Sequence, residues 1–500
     1  MLSLRYASLF TATLGSRLFL LALFGGCVAG GFERRTQSSP DLPDSAGSFA
    51  IEHITVIDGT GMQPQPDMTV AAENGRITYV GPTAKQGPFV ASRTIDGRNR
   101  FLLPGLIDTH AHVTYLDWVG PTDASTAVYN ERVSRATLEL LLAFGITTVR
   151  NPGGPTRDAT ALRDRVAAGQ IAGPTILTAG YVLNRARRFD GLTRPVSNED
   201  DVRRELTAQA AVRVDFVKVY SNMPPNLVGS VIREAHKRGL RVIGHLQATS
   251  WTAAARLGID GICHGASWAV DELPPDQREA YLRAGEQRGA MRARLEWLDD
   301  VQVEGLEIAT MIQELARRRI PVDPTLMAYA TKFKGSDRRF LESPDLALAP
   351  AAMRSSFASL SLVRDWTPQD FEHGRHSWRK MEALVRAYSR GGVLLTAGSD
   401  EPNPWVVPGP SLHTELELLV EAGLSPLEVL TIATRNGAES LGILKDEGTV
   451  SVGKRADLIV VDQDPTKDIR NTRAISLVIA RGRVLRPSEL LGGLDTVSHW

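Results

Sequence analysis

Across 500 residues, 57 Lys and Arg balance 57 Asp and Glu, so the chain has neither a basic field for nucleic acid nor an acidic tail. Hydrophobic residues make up 43% and charged residues 23%, which suits a chain that buries a large core and excludes global disorder. Two cysteines, one of them Cys27 near the start, exclude a disulfide scaffold and a thiolate-rich zinc module, leaving histidine, carboxylate or something rarer to hold any metal.

At the N-terminus, Arg5 and Arg17 precede the apolar run Leu18 to Phe24. The run is too short to span a bilayer as a folded helix, and residues 1–26 read as a signal peptide. Gly25 and Gly26 stand directly before Cys27, which resembles a bacterial lipoprotein processing box with Phe24 in place of the usual Leu. Lipidation at Cys27 and ordinary cleavage are the two alternatives, and both make the protein exported: periplasmic, or a membrane-anchored lipoprotein of a bacterium. Residues 27–47 are polar and Pro-bearing, as expected of a tether.

Strands are predicted at Phe49 to Asp58, Thr69 to Ala72 and Arg76 to Val80, where β-branched residues alternate between Gly-containing turns. Ala456 to Asp462 and Ile475 to Val484 have the same texture. Neither end has enough apolar surface to be stable alone, so residues 48–103 and 447–487 are expected to pair as one composite β-sandwich domain. Between them, residues 104–446 alternate short apolar runs with longer helical patterns such as Ser134 to Phe144, Val202 to Val212 and Leu227 to Lys237. The runs are Leu103 to Asp108, Ile146 to Arg150, Thr175 to Ala179, Phe216 to Tyr220, Arg241 to His245, Gly261 to His264, Ile320 to Leu326 and Val393 to Ala397. Eight βα units close a (β/α)8 TIM barrel, an α/β fold, with extra helices before the last two strands.

Active sites of such a barrel form at the C-terminal strand ends, and the polar residues fall there. The first run ends in Asp108-Thr109-His110-Ala111-His112; side chains two apart share a face of an extended segment, so His110 and His112 can reach one ion together. The fourth run places Lys218 inside an apolar strand, where an ammonium is costly unless paired or deprotonated, and a neutral amine can form a carbamate able to bridge two cations. The plainer alternative is a lysine that snorkels to solvent. His245 and His264 end the fifth and sixth runs, either as ligands or as satisfied core histidines, and Asp400 follows the eighth, as a ligand or a helix cap.

Taken in order, PGLIDTHAH, the lysine strand, VIGH, CHG and TAGSD resemble the motifs of the amidohydrolase superfamily, over residues 50 to 485. Within it, GITTVRNPGG (Gly145 to Gly154) and ELELLVEAGLSPLEVLTIAT (Glu415 to Thr434) are most similar to the imidazolonepropionase-like and Xaa-Pro dipeptidase-like branch. The resemblance implies two Zn2+ ions per chain, one on His110, His112 and Asp400 and one on His245 and His264, bridged by carboxylated Lys218. It implies hydrolysis of an amide C–N bond by a metal-bridging hydroxide, with Asp400 carrying the proton to the leaving group. The implied partner is a small molecule, a dipeptide or N-acyl amino acid; the oligomeric state is left open.

Other residues carry weaker signals. Tyr220, two after Lys218, shares its face and either binds an oxyanion or substrate carboxylate or packs the rim. Arg185, with Arg187 and Arg188, follows the third strand and could hold a substrate carboxylate or be solvated; His413 could line the pocket. His373 and His376 are explained by an exposed helix turn, and Cys263 is expected to point away from the site as an inert thiol. Two alternatives are a mononuclear deaminase or imidazolone-type cyclic amide hydrolase and a lactonase- or phosphotriesterase-like activity on the same site. Against the deaminase, Leu246-Gln247-Ala248-Thr249 stands where such enzymes carry a Glu. A ligand-less binding protein on this scaffold is disfavoured because all six positions are filled.

Overall fold

In a computed structural model, the described residues are 47–87, 91–119, 126–186, 189–285, 290–335 and 337–495. They lie within one compact unit, Leu42–Trp500. The expected signal peptide and Cys27 lie outside the described residues.

Strands from both ends of the chain share one eight-stranded sheet. Its seam is Phe101–Pro104, which pairs parallel with Phe49–Val56 on one side and antiparallel with Leu458–Val461 on the other, in the register Leu458 to Pro104 and Val461 to Phe101. Gln65–Glu73 and Arg76–Pro82 form a hairpin whose turn, Asn74-Gly75, has φ of 51° and 77°; these residue types tolerate the left-handed conformation that a tight hairpin turn requires. Ile51, Ile54, Val70 and Leu102 from the front half pack with Leu458, Val460 and Ile479 from the back half in one apolar cluster.

The central segment is α/β. Leu106–Asp108, Ile146–Asn151 and Thr175–Thr178 pair in parallel. So do Phe216–Val219, Arg241–Gly244, Gly261–Cys263 and Val322–Asp323. Ile146–Asn151 is buried at every position, as befits parallel strands covered on both faces. A bridge from Ala179 to Phe216 joins the two sets. The expected eighth run is not a regular strand: Leu395 bridges Val322, Ala397 accepts the Thr109 N–H, and the Leu395 carbonyl is taken by the Asn436 side chain (3.0 Å). Helices follow the runs, among them Glu131–Ala143, Glu199–Ala211 and Pro225–His236. Additional ones, including Pro275–Gly285, Ala290–Asp300, Leu306–Arg317 and Pro368–Arg390, precede the seventh and eighth runs, where long charged stretches predicted them.

Candidate active site

The C-terminal ends of the runs bring His110, His112, His245, His264 and Asp400 together. His110 stands just past Leu106–Asp108 and donates or accepts at Nδ1 with Asp323 Oδ1 (2.7 Å), so its Nε2 faces Asp400 Oδ1 at 3.4 Å. His112 Nε2 lies 3.6 Å from the same oxygen, with its Nδ1 toward the Gly153 carbonyl (3.4 Å). His264 Nδ1 meets Thr325 Oγ1 at 2.8 Å, and its Nε2 is 2.6 Å from His245 Nδ1. Three imidazoles are thus anchored through Nδ1; His110 and His112 turn Nε2 toward Asp400, the arrangement in which an outer hydrogen bond fixes the tautomer of a metal ligand, while His264 turns Nε2 toward His245 and has its Nδ1 3.9 Å from Asp400 Oδ2. The backbone is bent to achieve this: His264 and Asp400 have φ of 82° and 58°, left-handed values costly for non-glycine residues and typical of functional sites. Gly398 leaves room for His110, since a Cβ there would stand 2.7 Å from the histidine Cβ.

Electrostatics fits ligand duty. Burial, helped by the Lys218 charge, holds His110 well below the ordinary histidine range; burial, helped by His245, does the same for His264. Both rings are therefore neutral with a lone pair available. Burial pushes the Asp400 carboxyl up, but the histidines around it, His112 by a hydrogen bond, bring it below its ordinary value, so it is ionised. His110, His112 and Asp400 each offer one atom within a 4.8 Å sphere of mutual distances, and one N/N/O set of this kind suits a divalent cation such as zinc.

Lys218 is buried, its Nζ donating to Cys263 Sγ at 3.0 Å. Cys263 therefore faces the lysine rather than away from the site: strand alternation ends at Cys263 because His264 leaves the extended conformation. Burial pushes the thiol up to about 11, so it stays protonated. The Tyr220 ring centre is 4.6 Å from that of His245, at the cluster's edge. Arg185 is exposed, just past the strand Val182–Asn184; Arg187 and Arg188 lie outside the described residues. His413 is not brought to the cluster. Its ring is buried between Thr472 Oγ1 (2.8 Å) and the Phe144 carbonyl (3.0 Å), and burial holds it down to about 3. His373 pairs with Asp299 instead.

Asp323 and Arg150 were not singled out from sequence. Asp323 holds His110 through one oxygen and the buried Arg150 guanidinium through the other. Burial pushes this carboxyl up to about 6, with Arg150 and Lys218 pulling it back. The available signal was its place as a lone acid within the seventh apolar run, Ile320 to Leu326.

The amidohydrolase family model matches residues 101–485. The chain belongs to the amidohydrolase family. Among curated relatives, imidazolonepropionase of Methylobacterium sp. (strain 4-46) is 28% identical over 415 residues, 79% of this chain and 88% of that protein. Among solved structures, a Xaa-Pro dipeptidase with bound methionine matches with a TM-score of 0.64 at 19% identity, over 88% of this chain and 100% of that one. Bottromycin amidohydrolase matches with a TM-score of 0.67 at 22% identity, over 90% of each chain. This amidohydrolase is a hydrolase acting on carbon–nitrogen bonds of small molecules, metal-dependent in the manner of its family, with a TIM-barrel-type α/β fold.

Proposed function

We propose that the protein is a binuclear metallohydrolase that cleaves the amide bond of a dipeptide or N-acyl amino acid. The observation that carries this reading is the set of imidazoles anchored through Nδ1 around an ionised, buried Asp400. His110, His112 and Asp400 would hold one zinc ion and His245 and His264 the other, with Lys218 as a carbamate between them. Lys218 sits close enough to influence His110, His264 and Asp323 electrostatically, which supports its place among them. When bound, the metal supplies Lewis acidity toward a carbonyl and makes water a nucleophile near neutral pH.

The remaining work belongs to the chain. Asp400, kept ionised by its histidine neighbours, accepts a proton at its carboxylate and returns it to the leaving amine. Tyr220, its ring tilted against that of His245, orients the substrate by its hydroxyl. Asp323 fixes the His110 ring and is itself fixed by Arg150. In this reading the eight runs form a closed barrel; Ile107, Ala179, Phe216, Ile243 and Cys263, from the first, third, fourth, fifth and sixth runs, share one interior cluster, which supports it. The composite sheet folds over its shared apolar cluster as a sandwich made from residues 48–103 and 447–487. Export behind a signal peptide, to the periplasm or as a lipoprotein anchored through Cys27, completes the proposal.

The test is a screen of zinc-reconstituted protein against dipeptides, N-acyl amino acids, lactones and phosphotriesters. Amide cleavage, lowered about 100-fold or more in Asp400→Asn, is the expected result. Turnover confined to lactones or phosphotriesters would replace the amide reading, and deamination alone would favour the mononuclear alternative.

A further inference from the structure

The helix Leu326–Phe333 carries two residues unused so far, Tyr329 and Lys332, three apart and therefore on one face. Tyr329 is buried, with its ring centre 5.7 Å from that of His264. The Lys332 ammonium lies 5.6 Å from the Tyr329 ring centre. From a second helix, Ala290–Asp300, the Arg294 guanidinium comes within 5.7 Å of the same ring and 5.4 Å of the Trp268 ring. Two cations thus converge on one aromatic side chain that leans on the imidazole cluster.

Neither cation has an anion in contact with it; the Asp400 carboxylate acts on Lys332 only from beyond ion-pair distance. Lys332 is 7% exposed and donates to the Ala328 carbonyl (2.6 Å) and to Asn403 Oδ1 (3.2 Å), both neutral acceptors. Asn403 in turn donates to the backbone carbonyl of Asp400 (2.7 Å), which ties the lysine to the loop that carries the carboxylate. The polar contact of Arg294 is the Met291 thioether at 3.6 Å. Among the described residues, no carboxylate stands within ion-pair distance of either side chain. A buried ammonium without a contacting counter-charge is costly, and a guanidinium presents a fork of donors matched to a carboxylate. An anionic guest beside Tyr329 would satisfy both.

We propose that Lys332, Arg294 and Tyr329 form a subsite for a free carboxylate on the substrate, next to the bond to be cleaved. The inference rests on the amide-hydrolase reading and narrows it to substrates that keep an unblocked carboxylate, such as N-acyl amino acids and dipeptides. It places carboxylate recognition on the helices around the seventh run rather than on the Arg185 loop. Arg294 supplies two parallel hydrogen bonds, Lys332 a point charge, and Tyr329 a rigid wall.

The test compares N-acetyl-L-leucine with N-acetyl-L-leucinamide by calorimetry on the full chain, zinc-loaded and after chelation. The expected result is tighter binding of the acid by about tenfold or more, retained after chelation, and eroded about tenfold in Lys332→Met and in Arg294→Gln. A preference lost on chelation would assign the carboxylate to the metal and overturn the subsite. Equal binding of the two compounds by the unmutated protein would overturn it as well, even if a variant fails to fold, and so would an unchanged preference in both folded variants. Binding is read without turnover, so failure to cleave any amide with the acid preference intact removes the amide-hydrolase reading and leaves the subsite. Cleavage of amides without that preference removes the subsite alone.

Discussion

Asp323 is the residue on which the site's geometry turns. One of its oxygens sets the His110 ring and the other pairs with Arg150, both partners being buried. Asp323→Asn keeps the volume but removes the charge, leaving Arg150 uncompensated and His110 free to change tautomer. Breaking a buried pair in this way costs about 3–5 kcal/mol, and losing the outer partner of a histidine ligand weakens metal binding about 10–100-fold. Urea unfolding should register the first and a metal-competition titration the second. Unaltered metal affinity in a folded Asp323→Asn protein would show that His110 does not depend on this bond.

Why some of these residues were legible and others not is also a matter of single side chains. His110, Lys218, His245, His264 and Asp400 each interrupt or end an apolar run, where a polar group demands an explanation. Asp323 does so too, but a lone acid after a strand reads as a cap, and only the imidazole beside it reveals its role. Cys263 was misdirected because period-two alternation was carried through a residue with φ of 82°. Lys332 sits in a helix inserted beyond the seventh run, and no periodicity links such a helix to the imidazoles.

At the scale of elements, the helices before the last two runs matter because they bring Arg294 to the Tyr329 face. Pro368–Arg390 begins with a capping box: the Thr367 side chain accepts from the Asp370 N–H while Asp370 accepts from Thr367. Arg292, on Ala290–Asp300, clasps both Asp370 and Asp365, joining the two helices at their ends. Thr367→Ala should therefore cost about 1 kcal/mol, measured by urea unfolding, and act at the helix start rather than at the imidazoles. A change of several kcal/mol would mean that the cap supports more than its own helix. The apolar runs marked the strands well, but the eighth was too irregular to form a full ladder because Asn436 takes a carbonyl that a ladder would need.

For the whole molecule, buried acids give stability a pH dependence with a definite sign. Glu415 is buried on Pro410–Glu421 and accepts the Met327 N–H at 2.7 Å; burial pushes its carboxyl from 4.5 up to about 8. The folded state keeps this proton where the unfolded chain releases it. Its contribution is therefore full below pH 4.5 and lost as pH rises through about 8. Glu314 acts oppositely: Arg317, Arg256 and Arg318 hold it down to about 2, so its contribution is present above 4.5 and lost as pH falls toward 2. Melting temperatures between about pH 5 and 9 should fall less steeply for Glu415→Gln than for the unmutated protein. Parallel curves would show that this carboxyl is ionised in the fold.

The composite sheet, joined at Phe101–Pro104, was legible as matching strand texture at both ends because such edges cannot stand alone. Its strand order was not, since register depends on partners distant in the chain. The proposed function requires the runs to deliver six polar side chains to one metal centre. Elemental analysis of zinc-reconstituted protein, alongside Lys218→Ala, tests that convergence. Close to two ions per chain, falling in the variant together with hydrolysis, is the expected result; a single ion per chain, or full metal content and turnover without Lys218, would contradict it.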